Sequence, residues 1–251
     1  MKKIRFKTLF LVSMVMTFLL ILPVMASAAV PWSTETYRAY AYAQTVWKCM
    51  SGSQWVPCSN HGEGEQETFG PPLPISAILY DEYNRSQSNI TGTQMTIVDY
   101  NELDASSYSI TSASSAEFSG SFTAVDPIFQ FTYAYDYRAK KGDDKFYITV
   151  YDATDSVSLY DYTLILPDAY GATPASYSDL LNINVQSGHV INVNFGIMGK
   201  SYAEYYPFSP YDSTTINLTY SMAVAPEPIS SILFVTGGTL LAGRRFIRRK
   251  A

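Results

Sequence analysis

The feature that most constrains this chain is an alternation of apolar and polar side chains, repeated in many short runs. In FQFTYAYDY, residues 129–137, five aromatic side chains occupy every second position. Successive side chains of a strand point to opposite faces of its sheet, so this spacing places all five on one face. The same period recurs in residues 146–151, 189–195 and 216–222. We therefore expect strands rather than helices in this region.

Further runs of this kind raise the expected number of strands to about ten. They cover residues 37–43, 77–83, 95–100, 118–125 and 157–166. Turn-forming sequences such as KKGDDK separate them. The 21 tyrosines also favour pleated, half-buried strands. We predict an all-β domain over residues 29–222, an antiparallel β-sandwich with jelly-roll-like connections.

Three segments do not follow this pattern. Residues 60–75 and 167–180 are rich in turn formers and are expected to be loops. The run SYSDLLNIN, residues 176–184, is the one candidate helix of the body, with Ser178 as its N-cap. No repeat of fixed period is present, so a solenoid or a propeller is not expected.

Charge is distributed unevenly. The net charge is −5, but four basic residues lie within the first seven positions and five lie within the last eight. Eight basic residues remain between these clusters against all 22 acidic residues, which leaves that middle region at about −14. A body this acidic repels nucleic acid and anionic lipid surfaces, so neither is an expected partner.

The first 28 residues have the layout of a secretory signal peptide. A basic start, MKKIRFK, precedes an apolar stretch at residues 9–22 and the small-residue site Ala26-Ser27-Ala28. We expect cleavage after Ala28 or one residue later, and export of the rest. The alternative is an uncleaved anchor helix, which so short an apolar run disfavours.

The two cysteines, Cys49 and Cys58, are the only ones in the chain. Strand-like residues 46–50 and 55–58 flank a turn, which predicts a hairpin with the thiols on opposite strands. In an oxidising compartment we expect a disulfide, which would contribute about 2–3 kcal/mol. A metal site that includes His61, or a redox pair, is the less favoured alternative.

No enzymatic motif is apparent. The two histidines belong to no H-E-x-x-H sequence, no G-x-S-x-G occurs, and neither a catalytic residue nor a cofactor is predicted. Two acidic runs are candidate calcium ligands, although solvated turns are the preferred interpretation and no metal is predicted. They comprise Glu63, Glu65 and Glu67, and Asp143 and Asp144. A secreted hydrolase with two neighbouring carboxyls remains an alternative.

Aromatic residues suggest a binding role as an alternative, because sugar rings stack on tyrosine and tryptophan faces. SYAEYYPFSPYDS holds five aromatic residues, and these are the candidate glycan contacts: Tyr202, Tyr205, Tyr206, Phe208 and Tyr211. Trp32, Trp47 and Trp55 lie early in the exported chain. The favoured interpretation is that most aromatics fill the sandwich core and line its outer face.

The C-terminal end has three parts. Pro226-Glu227-Pro228 precedes residues 229–243, which are fifteen positions without a charged side chain, and an arginine-rich end, RRFIRRKA, follows. As a helix the uncharged segment would span about 22 Å, close to a transmembrane length if the arginines snorkel. The basic end would stay in the cytoplasm. The prolines keep the tripeptide extended and accessible.

This tail, from about residue 225 to 251, resembles the PEP-CTERM sorting signal. The resemblance implies a Gram-negative-type bacterium that makes exopolysaccharide. It also implies an exosortase that recognises Pro226, Glu227 and Pro228 and cleaves near them. Residues 229–243 would be the transient transmembrane helix within a sorting region of residues 223–251. The basic cluster that holds the tail in the membrane would be Arg244, Arg245, Arg248 and Arg249.

These expectations predict an exported, non-enzymatic surface or matrix protein. The chain would cross the inner membrane, remain anchored by its C-terminal helix until exosortase cleavage, and reach the cell surface or the extracellular matrix. Its role would be structural or adhesive, linked to exopolysaccharide and biofilm. The first alternative is a carbohydrate-binding module, with exopolysaccharide as partner.

Overall fold

The computed structural model of the chain describes residues 28–51, 53–80, 84–103, 107–138, 143–167, 175–204 and 211–225. Every regular element within these ranges is a β-strand. Among the described residues there is accordingly no helix that could cross a bilayer. The predicted signal segment up to residue 27 and the predicted sorting tail from residue 226 lie outside the described residues.

Thirteen strands build the described structure. In chain order they are β1 (Ala28–Ala29), β2 (Trp32–Ser51), β3 (Gln54–Gly70), β4 (Ile75–Tyr80), β5 (Asn84–Thr91), β6 (Gln94–Glu102), β7 (Ser107–Thr123), β8 (Ile128–Arg138), β9 (Lys145–Asp152), β10 (Val157–Ile165), β11 (Ala175–Asn184), β12 (Val190–Glu204) and β13 (Tyr211–Ala225).

The strands form two antiparallel sheets. The seven-stranded sheet has the order β11-β8-β13-β6-β5-β4, with β1 added beside β13, and the six-stranded sheet has the order β10-β9-β12-β7-β2-β3. From β6 onward the chain passes from one sheet to the other at almost every connection, as a jelly roll requires. The predicted antiparallel β-sandwich is therefore confirmed.

Predictions about the body are wrong in two regions. Residues 176–184 are not a helix, and the loop predicted at residues 167–180 is strand from Ala175 onward. Both predictions fall on strand β11, which pairs with β8 from Ala175 opposite Tyr137 to Asn184 opposite Ile128. Most of the loop predicted at residues 60–75 is strand, because β3 continues to Gly70 and pairs with β2 along almost its whole length. Partners in the neighbouring strand outweighed the local turn and helix preferences in both places.

Aromatic side chains fill one half of the space between the sheets. Phe195 of β12 packs on Phe118 of the neighbouring strand, with ring centroids 5.0 Å apart, and on Phe131 and Tyr220 of the opposite sheet, at 4.9 and 4.6 Å. The five aromatics that the period placed on one face of β8 are all buried, as predicted: Phe129, Phe131, Tyr133, Tyr135 and Tyr137.

Small polar side chains fill the other half of that space, toward the end of the sandwich that carries the tip of the β2–β3 hairpin. We call this region the polar half. Its members are all buried, and they include Asn84, Ser86, Ser88, Asp99, Asn101, Ser112, Ser114, Asp144, Ser201, Asp212 and Thr214. The sandwich thus has an aromatic end and a polar end.

The first and last described strands meet at the aromatic end. Ala28 lies opposite Val224 and Ala29 opposite Ala223 in the β1–β13 pair. The expected cleavage site therefore lies within or beside β1. Strand β13 also continues three residues past the predicted domain boundary at 222, to Ala225. The body is consequently entered and left at the same end.

We predict that Phe195→Ala lowers the free energy of unfolding by about 3–5 kcal/mol, because it opens a cavity between the two sheets. Urea unfolding followed by tyrosine and tryptophan fluorescence measures this change. The control is Thr163→Ala on the exposed face of β10, which should stay within about 0.5 kcal/mol of the unmodified chain. Equal effects of both substitutions would contradict the assignment of the core.

Candidate functional site

The outer face of the six-stranded sheet carries the richest combination of aromatic and hydrogen-bonding groups. Strand pairing sets its side chains in rows across the sheet. One row runs from Arg38 on β2 through Glu117 on β7 and Gly196 on β12 to Tyr147 on β9. The next row toward the hairpin begins with Tyr40, opposite Ser115. We call these two rows the Arg38–Tyr147 face.

Arg38 occupies the centre of an ion-pair network on this face. Its Nη1 donates to Glu117 Oε1 at 3.2 Å, its Nε donates to Glu67 Oε1, and its guanidinium carbon lies 5.4 Å from the ring centroid of Tyr40. Ser115 Oγ donates to the same Glu117 oxygen at 2.7 Å. The Arg38 side chain is still 38% exposed. The network therefore fixes the geometry of groups that solvent can reach.

A glycine lets Tyr147 lie across β12 toward this network. A Cβ at Gly196 would come within 3.1 Å of both the Tyr147 hydroxyl and Glu117 Cγ. Burial, reinforced by the Glu117 carboxylate, raises the pKa of the Tyr147 phenol well above its usual range. The phenol is therefore a neutral donor beside a carboxylate that accepts hydrogen bonds.

Beyond this row, strands β2, β7, β12 and β9 carry uncharged polar side chains on the same sheet face. Ser119 Oγ donates to Asn194 Oδ1 at 2.6 Å, and Asn194 Nδ2 lies 3.5 Å from Thr149 Oγ1. Thr34 and Ser121 share a hydrogen bond of 2.8 Å on adjacent strands. Amide and hydroxyl groups thus extend the polar surface beside the Arg38–Tyr147 face across four strands. They offer an extended polar ligand further hydrogen-bonding groups.

A second aromatic surface lies at the open edge between β10 and β11. Tyr177, which is 49% exposed, has its ring centroid 6.1 Å from Tyr133 and 5.7 Å from Tyr135. Tyr160 and Tyr162 stand on the facing edge strand with centroids 6.4 Å apart. We call this the tyrosine edge. Its rings close the side of the core, which is the structural role that the sequence favoured for most aromatics.

The predicted glycan contacts lie only partly within the described residues. Tyr202 is half-buried near the end of β12, and Tyr211 is 57% exposed at the start of β13. Both lie toward the polar end of the sandwich. Tyr205, Tyr206 and Phe208 lie outside the described residues, so their joint platform stays a prediction.

The tryptophans divide between the core and the surface. Trp32 packs edge-on against Phe118 and Phe122, with centroids 5.0 and 5.4 Å apart, which is a structural role. Trp47 is 40% exposed on the hairpin, and the side chain of Trp55 lies outside the described residues. Sequence reasoning missed the Arg38–Tyr147 face, because Arg38, Glu117 and Tyr147 come together only through strand register.

The predicted hairpin around the cysteines is present. Cys49 of β2 lies opposite Val56 of β3, and Cys58 falls at a register shift in which Trp47 pairs with Ser59 and Lys48 with Pro57. The backbone therefore places the two cysteines on adjacent strands. The disulfide itself stays a prediction, because the side chain of Cys58 lies outside the described residues, as does that of His61.

The acidic residues within each of the two predicted runs lie in different environments in the structure. Glu67 is committed to Arg38 on the sheet face, and Glu65 lies exposed one pair further along β3. Asp143 is exposed, whereas Asp144 is buried and accepts from the Lys200 backbone N–H at 2.9 Å. Burial raises the pKa of Asp144 to about 6. Asp144 is therefore a buried, hydrogen-bonded side chain and not part of a solvent-exposed turn, as the preferred interpretation of the sequence had it.

Three ligand-type side chains come together in turns at the aromatic end. Within the described residues, Asp152, Asp155 and His189 form the one group of three His, Cys, Asp or Glu side chains whose ligand atoms lie within 4.8 Å of one another. His189 Nδ1 lies 2.8 Å from Asp152 Oδ2, and Asp152 Oδ1 accepts from the backbone N–H groups of Thr154 and Asp155. Both oxygens of Asp152 are therefore already used, which favours a structural role.

Burial by itself would raise the pKa of Asp152, but the hydrogen bonds from His189 and from two backbone N–H groups outweigh it and lower the pKa. A carboxyl with a lowered folded-state pKa stabilises the fold above its unfolded pKa of about 3.9, and the effect is lost as the pH falls through the folded value.

We therefore predict that Asp152→Asn lowers the thermal unfolding midpoint at pH 7 and that the deficit shrinks steadily below about pH 4. Calorimetric scans of both chains between pH 2.5 and 7 measure this. The control is Asp161→Asn, which removes an exposed carboxylate from β10 and should leave the two pH profiles parallel. A deficit of constant size down to pH 2.5 would show that the Asp152 charge is unimportant.

No family model matches the chain, and no curated protein matches it in sequence. Solved structures match over part of the chain. Tailspike protein 4 of bacteriophage CBA120, its enzymatically active domain, is 10% identical over 59% of this chain and 19% of its own, with a TM-score of 0.30. The chain thus spans about a fifth of that protein's length.

Two further matches are carbohydrate-binding modules. The module TmCBM61, solved in complex with β-1,4-galactotriose, is 13% identical over 50% of this chain and 80% of its own, with a TM-score of 0.27. A CBM4 module is 10% identical over 56% of this chain and 77% of its own, with a TM-score of 0.28. Both cover roughly half of the present chain.

Proposed function

We propose that the chain is an exported, non-enzymatic carbohydrate-binding protein that holds a neutral polysaccharide on the Arg38–Tyr147 face. The observation that carries this proposal is the fixed arrangement of Arg38, Glu117 and Tyr147 beside the partly exposed ring of Tyr40. Sugars present adjacent hydroxyls and an apolar C–H face in one ring. A guanidinium–carboxylate pair beside an aromatic ring complements both features.

The extent of the face suits a polymer rather than a small molecule. The ordered polar groups continue from Arg38 to Asn194 and Thr149 across the sheet. The acidic body, at about −14, disfavours a polyanionic chain and favours an uncharged one.

The predicted sorting tail indicates where the protein acts. A PEP-CTERM-like signal would deliver the chain to the surface of a bacterium that makes exopolysaccharide, after cleavage near Glu227 by an exosortase. Because β13 ends at Ala225, directly before Pro226, the tether would leave from the aromatic end. The hairpin tip and the candidate contacts Tyr202 and Tyr211 would then point away from the membrane.

We predict that Tyr40→Ala weakens binding to soluble polysaccharide at least tenfold, because it removes the partly exposed ring that lies beside the Arg38 guanidinium. Affinity gel electrophoresis against neutral β-glucans, galactans and the exopolysaccharide of the producing strain measures this. The matched control is Tyr100→Ala, because Tyr100 is a 40%-exposed tyrosine on the seven-stranded sheet, and it should leave binding unchanged.

A third variant, Tyr177→Ala, tests the location of the site on the same gels. Retention lost in Tyr177→Ala and kept in Tyr40→Ala would move the site to the tyrosine edge and contradict our assignment. Absence of retention on every polymer would refute carbohydrate binding and would leave a structural or adhesive role for the exported chain.

The sorting proposal is tested in cells that carry the sorting enzyme. Glu227→Ala should leave a longer, membrane-bound form, because the recognition element is lost. Mass spectrometry of the released protein gives its C-terminus. Released, unmodified protein that still contains Phe246 and Arg248 would contradict cleavage at the tail.

A further inference from the structure

The polar half of the sandwich contains buried groups that have nothing to bond to. Among the described residues, six buried side-chain atoms lack a hydrogen-bond partner: Asn84 Oδ1, Asp99 Oδ1, Asn101 Nδ2, Asn101 Oδ1, Ser112 Oγ and Ser201 Oγ. Their residues are between 0 and 3% exposed. Folded proteins rarely leave buried polar atoms unpaired, so a concentration of them in one region indicates a missing partner.

The five residues concerned are buried on four strands, two in each sheet. Asn84 and Asn101 are register partners on β5 and β6, and Ser112 and Ser201 are register partners on β7 and β12. The two pairs belong to opposite sheets. Ser114, which shares the inner face of β7 with Ser112, donates to Asp99 Oδ2 at 2.7 Å and so ties the sheets together at this level.

Strand β12 also lies close to Asp99. A Cβ placed on Gly199 would lie 3.2 Å from Asp99 Oδ2 and 2.6 Å from Ile97 Cδ1. Ser201 is the next inward residue of that strand, one pleat nearer the polar end. The unpaired oxygens therefore border one region between β5, β6, β7 and β12.

The charge of this region points to a cation. Asp99, Asp144 and Asp212 are all within 1% of full burial, and no Lys, Arg or His is buried anywhere in the described structure. Asp144 and Asp212 accept from the backbone N–H groups of Lys200 and Tyr202. Asp99 has no such backbone donor to its Oδ1, which is left without a partner.

We propose that the polar half of the sandwich binds one calcium ion, with Asp99 Oδ1 and Asn101 Oδ1 as its central ligands and Asn84, Ser112 and Ser201 as further oxygen donors. Ca²⁺ takes six to eight oxygen ligands, and carboxylate and amide oxygens are among those it prefers. Five unpaired oxygens border the region, and water completes the set. The ion would tie β6 of one sheet to β7 and β12 of the other.

Ordered water is the other candidate occupant. Water would satisfy the hydroxyl and amide groups, but it would leave three buried carboxyl groups without a positive charge. A bound cation would stabilise the ionised form of the Asp99 carboxyl, which water does not do.

The test is the calcium content and calcium affinity of the purified chain. Elemental analysis after purification without chelator should give about one calcium per chain. After chelator treatment, added CaCl₂ should raise the thermal unfolding midpoint of the unmodified chain. Asp99→Asn, nearly isosteric, should weaken calcium binding at least tenfold in calorimetric titration, and Ser201→Ala should weaken it several-fold.

The matched control is Asp155→Asn, which changes the acidic cluster at the other end of the sandwich and should leave calcium affinity unaltered. Near-ultraviolet circular dichroism shows whether each variant keeps its tertiary packing. Calcium binding that is lost in Asp155→Asn and kept in a folded Asp99→Asn would overturn the proposal. So would an unmodified chain that neither contains calcium nor responds to it, since water would then occupy the region.

Discussion

The packing of aromatic rings across the gap between the sheets is the interaction on which the rest of the structure depends. Phe195 contacts a neighbour in its own sheet and two rings of the opposite sheet. Burial of so much apolar surface at one end compensates for a polar half that contributes little hydrophobic stabilisation. The polar half can therefore contain side chains that form hydrogen bonds or bind a ligand and contribute little to hydrophobic stability.

Strand β12 shows how the two halves are joined. As far as Met198 it pairs with β9, and beyond that residue it keeps only β7 as a strand neighbour. The carboxylates of Asp144 and Asp212 then accept from the Lys200 and Tyr202 N–H groups. Two of the buried acids thus complete a sheet edge, whereas Asp99 Oδ1 has no partner among the described residues.

Alternation of apolar residues was sufficient to predict the sandwich, because strands with an apolar inner face carry that pattern in the sequence. It missed β5, whose inner face begins with Asn84, Ser86 and Ser88, since burial of polar residues leaves no such signal. In β11, adjacent Leu180 and Leu181 imitate a helical spacing, although only the register with β8 decides the conformation. The Arg38–Tyr147 face is likewise invisible in the sequence, because its members come from four strands, β2, β7, β9 and β12, that are far apart in the chain.

The location of the proposed site on a sheet face has a physical consequence for how specificity can change. Arg38, Tyr40 and Tyr147 project from strands whose opposite sides pack into the core, so their positions are rigid without being needed for that packing. Partly exposed ion pairs such as Arg38–Glu117 contribute about 0–1 kcal/mol to stability. Substitutions on this face therefore alter ligand contacts at little cost to the fold.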